Sequence, residues 1–146
     1  MRYALYKPFN RALRTITSSF EDSIVLVDDV TLCDTLKKIT NLYQDTGYIH
    51  VWTGATDNNI FGNALDNYRF RAWHDLIHIM YQFPFTQEGE RAVCKVQKEQ
   101  IKKISKDAVI QKLLDIEVNG QVEYYYTHNT FPANQLEFTI NKMKGN

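Results

Sequence analysis

The stretch that most limits what this chain can fold into is residues 67–82, NYRFRAWHDLIHIMYQ, closed by Phe83-Pro84. Proline drives the residue before it out of the helical region, so this pair predicts a helix end. Consecutive residues of a helix step by ~100° around its axis. With His74 at zero, His78 falls at ~40°, Arg71 at ~60°, Gln82 at ~80° and Asp75 at ~100°. Phe70, Trp73, Ile77, Met80 and Tyr81 occupy one flank, and Ala72, Leu76 and Ile79 the other. A helix apolar around nearly its whole circumference belongs in an interior. Its single polar arc is too narrow for an ordinary wet face. The arc is therefore expected to line a cleft or an internal polar cluster.

The rest of the chain supplies a setting for that helix. With 146 residues, 44% of them hydrophobic and 23% charged, the composition fits one soluble domain with a proper core. Apolar residues in 23–28 (SIVLVD) and 48–53 (YIHVWT) predict two strands. A helix is expected over about 31–45, capped by Asp29 or Thr31 and ended by Gly47. Thr86 caps a further helix over about 87–105, and another covers about 107–116. VEYYYT, at 122–127, reads as a strand, and Pro132 opens a last helix. Residues 1–20, rich in aromatics, resist assignment. The expected fold class is α+β, a single compact domain over 1–146, helix-rich with a small β-sheet.

Charge and cysteine content exclude several classes. Seventeen basic and seventeen acidic residues cancel, so no global field draws the chain to nucleic acid or membrane. No apolar run is long enough to span a bilayer, and the first residues lack a signal-peptide block, so a cytoplasmic protein is expected. Cys33 and Cys94 are too few for a disulfide framework or a cysteine zinc site. Phosphate-binding glycine loops and nucleophile elbows are missing from the sequence. Cys94 reads as a small core residue. The lysines at 95, 98, 102, 103 and 106 read as a solvated helix face, and Tyr124–Tyr126 as a half-buried strand, so nucleic-acid binding is not expected.

Two histidines at i and i+4 share a helix face, the spacing of helical metal pairs. Imidazole suits zinc, iron, nickel or copper, and added carboxylate oxygens bring in manganese. Asp75 adds an oxygen ligand or orients a histidine. In the next helix Glu90, Gln97 and Gln100 fall inside the apolar stripe of Ala92, Val93, Val96, Ile101 and Ile104. A carboxylate there needs a charged or metallic partner. A short connection packs the two helices antiparallel and carries Glu90 toward His74 and His78. Glu90 has an ordinary explanation as well, stabilising a helix N-terminus, the role given to Glu88. An internal salt bridge between Arg71 and Asp75 likewise explains the arc without metal. His50 or His128 can complete a metal sphere, although each also reads as structural or solvent-facing.

The pair His74-Asp75, with His78 behind it, resembles the HD-domain metal-dependent phosphohydrolases over about nine residues. The resemblance implies a divalent-metal site with His50 as the early histidine and Asp107 or Asp115 as the late aspartate. The longer string IFGNALDNYRFRAWHDLIH with FPFTQEGERAV, within 48–100, resembles small uncharacterised bacteriophage proteins. That resemblance implies action in a host cytoplasm and supplies no activity.

The expected function is a small metal-binding protein with His74, His78 and Asp75 as ligands of zinc, manganese or iron. Glu90 is a further ligand or general base, and Arg71 neutralises an anionic substrate such as a nucleotide, on the way to phosphoester hydrolysis. The alternative is a non-catalytic phage protein that binds and inhibits a host protein or a host defence signal. Exposed aromatics near the N-terminus, or Ile60-Phe61, would then be its anchors. The separation of the Glu90 carboxylate from the two imidazoles decides whether the metal site can exist.

Overall fold

The computed structural model describes residues 3–145. Helix α1, Lys7–Thr17, carries Pro8 in its first turn, where the fixed φ of proline suits a helix start. It turns Phe9, Ala12 and Leu13 inward. Strands β1, Ile24–Val27, and β2, Ile49–Trp52, pair in parallel with Ile24 opposite Ile49. Parallel neighbours need a crossover. Helix α2, Leu36–Thr46, provides it, with Thr35 as N-cap and Gly47 left-handed at φ 76°. The predicted start near residue 31 is thus corrected. Asp29 does accept from Thr31 N, but it caps only a single 3₁₀ turn, Val30–Leu32.

Helix α3, Ala64–Tyr81, is the spine. It starts three residues earlier than predicted because the Asn63 side chain accepts from Asp66 N at 2.7 Å. It packs on α1, α2, β2 and α4, Gln87–Lys102. Helix α5, Ala108–Asp115, runs through a π-turn, Ile116–Gly120, into α6, Gln121–His128. The predicted strand at 122–127 is therefore helix. Val and Tyr favour strands only weakly, and a helix already under way from residue 108 outweighs that preference. Helix α7, Gln135–Met143, is capped by Asn134, not opened by Pro132, which lies in the loop before it. The molecule is one compact, helix-rich α+β domain, and no helix among the described residues is long and apolar enough to cross a membrane.

The main core joins α1, α3, α4 and α5 through Phe9, Leu13, Phe70, Trp73, Ile77, Cys94, Ile101 and Leu114. Phe9 meets Phe61 and Phe70 edge-on, with ring centroids 5.3 and 6.2 Å apart. A smaller cluster of Ile49, Val51 and Ala72 seats the sheet on α3. The last turn of α3 departs from the all-buried expectation, since Met80 and Tyr81 are exposed.

One buried charge locks α1 to α3. Asp66 is fully buried, and its carboxylate accepts from Asn10, Asn63, Arg14 and Arg69, with Arg14 Nη2 at 2.7 Å. Burial would raise that carboxyl, but these donors outweigh it and hold it well below the usual carboxylate range.

Candidate metal centre

The pairs Trp73–Gln100, His74–Gln97 and His78–Glu90 run in opposite directions along α3 and α4, so the helices are antiparallel. Their connection is tight. Thr86 caps α4 by accepting from Gly89 N at 3.1 Å. A Cβ on Gly89 would overlap the Pro84 carbonyl oxygen, so only glycine lets α4 start this close to α3. Glu90 is the next residue, and its carboxylate reaches both imidazoles.

Three atoms converge. Glu90 Oε2 lies 2.6 Å from His74 Nε2 and 3.1 Å from His78 Nε2. The two Nε2 atoms are 3.2 Å apart. The far side of each ring is already committed. His78 Nδ1 is 2.7 Å from the Phe83 carbonyl oxygen, and His74 Nδ1 is 3.0 Å from Gln97 Oε1. An amide oxygen only accepts, so each Nδ1 carries the proton and donates. Each Nε2 is then left to meet the carboxylate with a lone pair unless a further cation sits there. Three lone-pair atoms cannot crowd together without a proton or a metal ion between them. Histidines that ligate metals usually donate their other ring N–H to a carbonyl or carboxylate, as both do here. Bonds of ~2.0–2.1 Å in a tetrahedral zinc site set ligand atoms ~3.3 Å apart. Two of the three separations match within ~0.2 Å, and the His74–Glu90 pair must open by ~0.7 Å to admit an ion.

Electrostatics follows the geometry. Burial would push the Glu90 carboxyl up, but the hydrogen bonds and positive charge of the imidazoles hold it at about 2. Burial would lower His74, and Glu90 outweighs it, so that imidazole is raised. Gln97 is fully buried, and its Nε2 finds no hydrogen-bond partner among the described residues. Such a group costs ~1–3 kcal/mol, which this helix face accepts while orienting His74.

His74 and Glu90 open on a cavity of about 710 Å³ between β2, α3, α4 and the π-turn, and His78 lies fully buried behind them. Asp75 lines this cavity but is not among the converging ligand atoms. At ~100° from His74 it looks past the triad toward the open space. Burial pushes its carboxyl up to about 6, against the pull of His74 and His78.

Arg71 lines the same cavity, yet it makes no salt bridge with Asp75. Its guanidinium donates to the carbonyls of Trp52, Gly54 and Ala55 at 2.7, 2.6 and 2.7 Å. Arg71 thus fastens the loop after β2, with three of its five N–H donors spent.

The other candidates stand elsewhere. His50 Nδ1 is 3.3 Å from the Tyr48 carbonyl, and His128 stacks on Tyr124 at 4.0 Å. Asp107 caps α5 by accepting from Val109 N, and Asp115 bridges to Lys98 at 2.9 Å. Neither takes the place of the late aspartate that the HD-domain resemblance implies. Cys94 is buried, and burial pushes its thiol up to about 11. The sequence offered no sign of two further parts of the site. One is the Phe83 carbonyl, which as backbone leaves no residue signal. The other is Glu117, which lines the cavity from a π-turn that no periodicity marks. Comparisons with protein-family models, curated proteins and solved structures gave no match.

Proposed function

We propose that this chain is a small metal-dependent hydrolase whose ion is held by His74, His78 and Glu90. The observation that carries the reading is the convergence of two imidazole Nε2 atoms on one carboxylate oxygen, with both Nδ1 protons already committed. Two nitrogens and one oxygen suit zinc, iron or manganese and leave at least one coordination position free. A bound ion of this kind supplies water acidic enough to act as hydroxide near neutral pH. Asp75, facing the same cavity outside the ligand set, is the carboxylate available to take that water's proton. Gln97 and Phe83 orient the two rings, and Arg71 holds the cavity wall in place. The reading sets this chemistry in a cytoplasm, where free thiols such as Cys33 and Cys94 stay reduced.

The test is elemental analysis of untagged protein after dialysis against zinc, manganese or iron(II), followed by turnover of chromogenic ester, amide and phosphoester substrates. The expected result is one ion per chain and turnover that both disappear in a folded His74→Ala/His78→Ala variant. Folded wild-type protein that takes up none of these ions overturns the metal site. The cluster is then an internal polar network, as in the non-catalytic binding alternative. One ion per chain with no turnover on any ester, amide or phosphoester overturns the hydrolase.

A further inference from the structure

The walls of the cavity say more about its occupant than the metal ligands do. At about 710 Å³ it falls in the range of small-molecule sites, ~300–1,000 Å³. Its apolar lining includes Trp52, Phe70, Val118 and Phe131. Phe131 is half-exposed and stacks on Tyr125 at 4.8 Å, which leaves a ring at the rim for a planar ligand to meet.

The charged lining has one dominant sign. Asp57, Asp75, Glu90 and Glu117 face the space against the single guanidinium of Arg71. The carboxylates are in clear excess without a metal ion, and a divalent ion at the triad together with Arg71 brings the lining close to neutral. Arg71, the group on which an anionic substrate was expected, gives three donors to loop carbonyls. In the metal-free cavity a polyanion would meet like charge on several sides.

Of the lining carboxylates outside the ligand set, Glu117 is the one held in place by two side-chain donors. The π-turn throws it out of line with α5 and α6 and into the cavity wall. Turns of this kind are rare and are common at functional sites. Thr139 Oγ1 donates to its Oε1 at 2.8 Å and Gln121 Nε2 to its Oε2 at 3.0 Å. These two bonds fix the carboxylate plane and leave a second lone pair on each oxygen.

We propose that the cavity takes a flat, uncharged or cationic molecule bearing N–H donors, such as an amide, an amidine or an aromatic amine, and that Glu117 is the specificity residue receiving those donors. This rests on the metal-centre reading only for what happens to the bound molecule, because Glu117 stands outside the triad. Burial pushes the Glu117 carboxyl up to about 7, so a cationic partner must offset the cost of ionising it, while an uncharged N–H donor can be received by either form.

Benzamidine and benzoate are probes of matched shape and opposite charge. Their binding is measured by calorimetry on EDTA-dialysed and zinc-loaded wild-type protein, with zinc stoichiometry determined on the same samples. The expected result in the EDTA-dialysed protein is saturable benzamidine binding at least tenfold tighter than benzoate. Glu117→Gln should weaken benzamidine at least fivefold and leave zinc stoichiometry unchanged. If Glu117→Gln does not fold, Phe131→Ala, at a half-exposed loop position, must weaken benzamidine instead. Benzoate binding as tightly as benzamidine overturns the proposal, as does the absence of saturable benzamidine binding or a folded Glu117→Gln variant with unchanged affinity. Missing zinc with intact benzamidine selectivity overturns the metal centre alone, and the reverse pattern overturns the substrate class alone.

Discussion

Replacing Glu90 by Gln in metal-free protein isolates the charge at the centre of the site. Gln keeps the shape and an accepting oxygen but cannot be the anion that two imidazoles share. The carboxyl, ordinarily near 4.5, is held at about 2. A lowering of that size corresponds to ~3 kcal/mol of stability at neutral pH, at about 1.4 kcal/mol per pH unit. Only 18% of the side chain is exposed, so solvent screening removes little of it. A carboxyl lowered in this way stabilises the fold above its ordinary value, and that contribution fades as pH falls from 4.5 through about 2. His74 works in the opposite sense. Its imidazole is raised, so its share is complete below 6.5 and is lost as pH rises through the higher folded value. Urea unfolding of the EDTA-dialysed pair should therefore show a stability gap of ~3 kcal/mol, widest between about pH 4.5 and 6.5 and narrowing on both sides. Zinc should abolish the narrowing on the alkaline side, because the ion replaces the proton. A gap under ~1 kcal/mol at pH 5.5, or one unchanged up to pH 9 without metal, would mean that the Glu90 charge is not shared by the imidazoles.

Three other substitutions test the supports of the site. Gly89→Ala forces α4 off the Pro84 carbonyl and should cost ~1–3 kcal/mol, read as a lower Tm, and weaken zinc binding with it. Asp66→Asn removes the buried anion between Arg14 and Arg69 and should cost ~3 kcal/mol in chemical denaturation, with no change in zinc stoichiometry. Arg71→Lys gives up a fork that reaches three carbonyls, so protease cleavage within 54–63 should accelerate while the Tm moves little.

What could be read from the residues alone followed the strength of their periodic signal. The arc on α3 was legible because polar residues in a greasy helix are expensive, and Glu90 because it broke the apolar stripe of α4. Their convergence needed only a short connection. The roles of Asp75 and Arg71 were not legible. Helical angles rank residues around one axis, and they do not say which neighbouring backbone offers carbonyls to a guanidinium. Helix α1 was missed because its helical face rests on Phe9, Ala12 and Leu13 amid aromatics that suit either state. Helix α6 was read as strand because its tyrosines were weighed apart from the helix leading into them. Asp66 was not singled out, because nothing in its own position marks a buried carboxylate. Its four partners lie on α1, at the Asn63 cap and one turn further along α3.

The β1–α2–β2 crossover hangs on α3 through a small patch of its own, Ile49, Val51 and Ala72, apart from the main interior. Two strands cannot stand unaided in water, so this segment keeps its shape only while the spine helix does. Amide hydrogens there should exchange with solvent well before those of α3 and α4. Deuterium would then enter the molecule first beside the cavity, along the wall that Trp52 and Arg71 share.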